Sequence, residues 1–72
     1  MDYRTFAGHL TSFLNEQEGI SGSWNGEDEW YSHEGERYHE EDAHIANEII
    51  LSAKPLLDQL NRLLDNEAAP AR

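Results

Sequence analysis

The feature that most constrains this chain is a pair of apolar stripes running side by side through its C-terminal third. Ile45, Ile49, Ala53, Leu56, Leu60 and Leu63 recur at steps of three and four; Ala46, Ile50, Ala53, Leu57, Leu60 and Leu64 follow beside them. These spacings place apolar side chains on one side of an α-helix, and the second stripe keeps heptad spacing. The predicted helix runs from about residue 40 to residue 66, roughly 40 Å at 1.5 Å per residue. Pro55 stands inside it. Proline has no N–H to donate and its ring meets the carbonyl four residues back, so a kink or break is expected there. The stripes hold their phase across it, which predicts a kinked helix or two nearly coaxial ones.

A second helical pattern opens the chain. Tyr3, Phe6, Ala7, Leu10, Phe13 and Leu14 share a face, Asp2 is placed to cap the free amides of the first turn, and Gly19 is the expected stop. This predicts a helix over residues 3–18, about 24 Å long. One short helix does not cover two adjacent stripes on a longer one. Either the aromatic residues between the helices cover the remainder, or a second protein does. A homodimer meeting through Leu57, Leu60 and Leu64 is one solution; a monomer roofed by the connecting segment is the other.

That connecting segment, residues 19–38, holds four of the five glycines together with Trp24, Trp30, Tyr31 and Tyr38. The two tryptophans are expected to fold back as a lid on the core. Residues 29–33 and 37–39 have the composition to pair as a short hairpin turning at Glu34-Gly35-Glu36, although a helical turn from Asn25 fits almost as well. The expected fold is mostly α. It is one small domain over residues 1–66, a short N-terminal helix packed on a long Pro-kinked one with a Trp/Gly-rich connection, followed by a disordered tail at 67–72.

Charge narrows what such a domain does. Fifteen acidic residues against five basic ones leave a formal net charge of -10. That excludes direct binding to nucleic acid or an anionic membrane and favours a basic partner. There is no cysteine, hence no disulfide. No apolar run approaches the roughly 20 residues that span a bilayer, and a soluble cytoplasmic protein is expected.

The acids are concentrated. Glu27, Asp28, Glu29, Glu34, Glu36, Glu40, Glu41, Asp42 and Glu48 fall within twenty-two residues, interleaved with Trp30, Tyr31 and Tyr38, and Arg37 is the one basic side chain among them. Crowded on one end of a small domain, they raise a negative potential of several kT. A solvated polar face is the plain alternative. Three of the four histidines, His33, His39 and His44, lie in the same stretch. His39 and His44 are five residues apart, so they diverge on a helix, and only His44 with Glu40 and Glu48 converges. No HExxH or EF-hand pattern is present, so no metal or other cofactor is expected, and the nearby acids favour protonated imidazole. No GxSxG, P-loop or dinucleotide fingerprint occurs either. The chain is too short to bury a catalytic carboxylate pair in a cleft, so no catalytic residue is assigned.

In size, charge and want of catalytic motifs the chain is similar to the small acidic inhibitors that phages and mobile elements direct against restriction and CRISPR systems. That likeness implies a non-enzymatic inhibitor whose carboxylates stand where a host complex expects DNA or RNA phosphates. The expected contact set is Glu27, Asp28, Glu29, Trp30, Tyr31, Glu34, Glu36, Glu40, Glu41 and Asp42, and the expected partner is the basic site of a nucleic-acid-binding protein. Two other classes compete. One is a helical dimerisation or adaptor module that works through the C-terminal apolar stripe. The other is a metal- or pH-responsive protein centred on His39 and His44.

Overall fold

Asp2 opens the first helix from an extended backbone conformation, its carboxylate accepting the Thr5 N–H at 2.7 Å. This satisfies one of the amides that a helix start leaves free. The computed structural model describes residues 2–68. The helix, α1, spans Tyr3–Gly22, four residues beyond the end expected from Gly19. Gly19 is ordinary helix. What it contributes is absence of bulk, since a Cβ there would stand 2.8 Å from Cε1 and Nε2 of His33. The helix ends where the Ser23 N–H reaches back to the Gly19 carbonyl at 3.0 Å.

Of the two readings of the connecting segment, the hairpin is the one observed. Strands β1 (Trp30–His33) and β2 (Glu36–His39) pair antiparallel, Trp30 with His39, Tyr31 with Tyr38, Ser32 with Arg37 and His33 with Glu36. The turn is Glu34-Gly35, with φ of 51° and 81°. Two positive φ values in a two-residue connection match the right-handed twist of the strands, and glycine takes the second without strain.

The second helix, α2 (Glu40–Ala68), begins at the next residue. Its start is capped reciprocally. His39 Nδ1 accepts the Glu41 N–H at 3.1 Å, and Asp42 Oδ2 accepts the His39 N–H at 2.9 Å. Three acids in the first turn, Glu40, Glu41 and Asp42, face the positive end of the helix dipole. Of the two forms expected, one helix or two nearly coaxial ones, α2 is one continuous helix through Pro55. Pro55 is exposed, so water can serve the carbonyl that its missing N–H leaves without a donor. The helix also continues past the expected end at Asn66 to Ala68. The remainder of the expected tail, 69–72, lies outside the described residues.

The two helices pack antiparallel. Ala7 and Leu14 meet Leu57 and Leu64 in the core, flanked by Leu10, Ile49, Ala53 and Leu60. Tyr3 lies beside Leu63 and Leu64 at one end, and Glu18 reaches Lys54 at 3.7 Å nearer the other. Nearest the hairpin, Ile20, Ala43 and Ala46 are buried. Leu57 and Leu64, expected as subunit contacts, are therefore occupied within the chain, and Leu60 is half-buried beside them. The expected lid is also absent from the body. Trp24 is half-buried against His44, their rings 5.0 Å apart edge to face, and Trp30 stays 46% exposed. The result is a rod of 56 × 20 × 16 Å with the hairpin at one end. Among the described residues no helix is long and apolar enough to cross a membrane.

Candidate functional site

The acidic stretch folds into the hairpin end, and its frame is built mostly from local hydrogen bonds. Asn25 organises the approach. Its Oδ1 accepts the Glu27 and Asp28 N–H groups at 2.8 and 3.0 Å, and its Nδ2 donates to Asp28 Oδ2 at 3.0 Å. An Asn side chain closing such a turn stands in for a backbone turn, and Gly26 takes the positive φ of 86° that accompanies it. Trp24 Nε1 donates to the Asp28 carbonyl at 2.7 Å, and the Glu40 N–H donates to the Glu29 carbonyl at 2.8 Å. The loop is thus tied to both its neighbours.

The two faces of the hairpin do different things. Tyr31, His33 and Tyr38 lie on the half-buried side. Tyr31 and Tyr38 stack with centroids 5.8 Å apart, the Tyr31 hydroxyl donates to the Ile20 carbonyl at 2.8 Å, and His33 Nδ1 is 2.7 Å from Ser23 Oγ. Burial, then the Asp42 and Tyr38 charges, push the Tyr31 phenol above its ordinary value. On the outer face, the Trp30 ring meets His39 edge-on at 4.8 Å, and the Arg37 guanidinium sits 4.3 Å from the Trp30 ring centre. The one cation of the region is therefore held on an aromatic face, leaving the acids unpaired by it.

Those acids stand in water. Glu27, Asp28, Glu29, Glu34, Glu36 and Glu41 are exposed, and Glu40 and Asp42 are partly so. Ser23 to His44 carries eight acids and one base, so seven of the ten net negative charges sit at this end. Some have internal work. Asp42 caps α2, Asp28 holds Asn25, and Glu29 Oε2 is 3.3 Å from His39 Nε2. Among the described residues no Lys or Arg pairs with any acid of this region; the one such pair is Glu18–Lys54. The contact between Glu29 and His39 is not a simple ion pair. Because His39 Nδ1 accepts an N–H, the proton of a neutral ring lies on Nε2 and points to Glu29. His39 thus both caps α2 and meets Glu29.

Of the ten residues expected to contact a partner, all lie at the hairpin end. Glu27, Glu34, Glu36, Glu41 and Trp30 are outward-facing, whereas Tyr31 is turned onto α1 and Asp42 is engaged in the cap. His33, His39 and His44 point to three different neighbours, Ser23, Glu29 and Trp24. Among the described residues no group of three or more His, Asp or Glu side chains is placed to hold a metal ion. The reciprocal cap was readable as a short polar residue three positions after His39, just before the apolar run. The seating of His33 over Gly19 had no local signal. Compared with known proteins, the chain matches no family model, no curated protein and no solved structure.

Proposed function

We propose that the protein is a non-enzymatic binding module that presents its acidic hairpin end to the basic, nucleic-acid-binding surface of another protein, such as a restriction or CRISPR complex. The observation that supports this reading is the concentration of exposed carboxylates, unpaired by Lys or Arg, on a hairpin whose backbone is pinned at Asn25, Asp28 and Glu40. A pinned frame costs little entropy to immobilise on binding, and like-signed charges on it steer a cationic partner. Trp30, half-exposed among the acids, supplies an apolar anchor of the type common at interface centres.

The test is charge reversal at Glu27, Glu34 and Glu41, which make no side-chain hydrogen bond among the described residues. Partner captured from lysate at low salt should bind the triple Lys variant at least tenfold more weakly, and duplex DNA should compete with the unmodified protein. Reversal at Asp58 and Asp65, on the far part of α2, is the control. Equal binding by both variants, or salt-insensitive capture, would rule the acidic reading out. The second reading, an adaptor working through an apolar helix face, is favoured by one observation. Leu56 and Leu63 of the outer stripe are 63% and 58% exposed.

A further inference from the structure

The stripe that α1 leaves uncovered is part of a larger face. Taking the contact between the helices as centred on Ala7 and Leu14, Phe6 and Phe13 lie about 100° round α1 at 100° per residue. Leu56, Leu63 and Ile45 lie about as far round α2 from Leu57 and Leu64, in the same rotational sense. Because the helices run antiparallel, the same sense leads to the same side of the pair. The placement of Tyr3 beside Leu60 and Leu63 agrees with this. Tyr3, Phe6, Phe13, Ile45, Leu56 and Leu63 therefore form one exposed apolar face, with exposures between 44% and 72%.

We propose that this face is the contact between two copies of the chain, which pack antiparallel into a four-helix bundle with their acidic hairpins at opposite ends. This is independent of the proposed role of the hairpin.

Three observations favour a second copy as the occupant. The first is charge. Fifteen acidic and five basic residues are spread through the chain, yet at 100° per residue the stretch of this face from Tyr3 to Phe13 of α1 and from Ser52 to Leu63 of α2 carries none, and Glu48 stands at its hairpin-end margin beside Ile45 and Ser52. A net charge of -10 opposes self-association least on a surface where charges are sparse. The second is the double seam. Each helix has apolar residues for two neighbours, the pattern of a bundle, and the chain supplies only one. Among the described residues no large side chain is fully buried, and a single chain of this size has little core to spare. The third is area. Two helices side by side along the length of α1 offer roughly 20 by 30 Å. Doubled across a twofold axis, that is on the order of 1,000 Å², the threshold for a specific interface.

Orientation follows from the charge at the ends. A parallel pair would set two hairpins, each with seven net negative charges, side by side. An antiparallel pair separates them by most of the 56 Å rod, several screening lengths at physiological salt.

Sedimentation equilibrium of the full chain should return twice its 8.3 kDa mass at micromolar concentration, with a melting temperature that rises with concentration. Leu56 and Leu51 are each 63% exposed, on opposite sides of α2, which makes a matched pair. Leu56→Ala should raise the dimer dissociation constant at least tenfold and Leu51→Ala should leave it unchanged. Fluorophores on Ser32→Cys, an exposed strand position, should report the two hairpins as far apart, with little energy transfer between copies. A folded 8.3 kDa monomer at all concentrations, equal effects of the two leucine variants, or strong transfer between hairpins would each overturn the proposal. If a leucine variant fails to fold, the concentration dependence of the unmodified protein's melting still decides it, and a melting temperature independent of concentration overturns it.

Discussion

The hairpin end and the helical body are held together by different means. In the body, Ala7, Leu14, Leu57 and Leu64 exclude water from a narrow seam, and the ion pair Glu18–Lys54 is exposed and contributes little. At the hairpin end, short polar contacts do most of the work: Asn25 to the loop, Trp24 to Asp28, Tyr31 to Ile20, His39 to the start of α2. That division of labour is how so acidic a chain folds. Charge is confined largely to an end where local hydrogen bonds set the backbone, and the apolar surface lies along the helices, where carboxylates are sparse and Glu48 stands at the margin.

The largest effect should come from the body. Leu57→Ala removes a core side chain only 8% exposed and should cost about 2–4 kcal/mol, much of what a domain of this size has. Trp30→Ala, at 46% exposure, should cost under about 1 kcal/mol. Urea unfolding of both variants measures the contrast, and equal losses would erase it.

Smaller and opposite in sign are two glycine substitutions. Gly35→Ala forces a side chain into the turn at φ 81° and should destabilise by about 1 kcal/mol. Gly8→Ala sits in mid-α1, where an added Cβ meets nothing within 4 Å, and should stabilise by up to about 1 kcal/mol. Thermal melting reads both, and a stabilising Gly35→Ala would mean that the turn is not held as described.

The smallest effects are at the extremes of pH, one in each region. Tyr31 has its value raised above about 10. Its contribution is complete below that pH and is lost as pH rises through the folded value, when the hydroxyl can no longer donate to Ile20. Asp2 is the reverse. The Thr5 N–H lowers it below 3.8, so its contribution is present above that pH and fades as pH falls through the folded value. Tyr31→Phe should flatten the alkaline limb of the melting profile and Asp2→Asn the acid limb. If each substitution changed the other limb instead, the assignment of these contacts would be wrong.

Much of the fold was legible from local patterns. Helical periodicity and the Asp2 cap are decided by residues adjacent in the chain and agree with the structure, and the hairpin turns where expected except that Glu36 belongs to β2 and not to the turn. The misplaced end of α1 and the continuity of α2 have a common cause. Gly19 and Pro55 are helix-breaking by intrinsic preference, yet α1 runs through Gly19 toward the hairpin and α2 through Pro55 on its wet side. Tertiary packing outweighs a preference of about 1 kcal/mol at the glycine, and stripes continuing on both sides of Pro55 outweigh its lost hydrogen bond. The acidic residues were legible as a group. Their division into engaged and free members was not, since it depends on which backbone N–H each carboxylate reaches.

Periodicity and caps act over a few positions, so two amphipathic helices with an aromatic, acidic connection were readable from the sequence alone, while the choice between a hairpin and a helical turn in that connection stayed open. Only the tertiary structure decided which of the two parallel stripes on α2 is core and which is surface. The stripes share Ala53 and Leu60 and are chemically alike. The choice rests on where Ala7 and Leu14 arrive from the other end of the chain. Ala46 and Ala43, small and fully enclosed, let the hairpin end come close on the inner side, and Leu57 and Leu64 follow into the seam. Leu56 and Leu63, one position earlier in each case, are turned about 100° away and left facing outward.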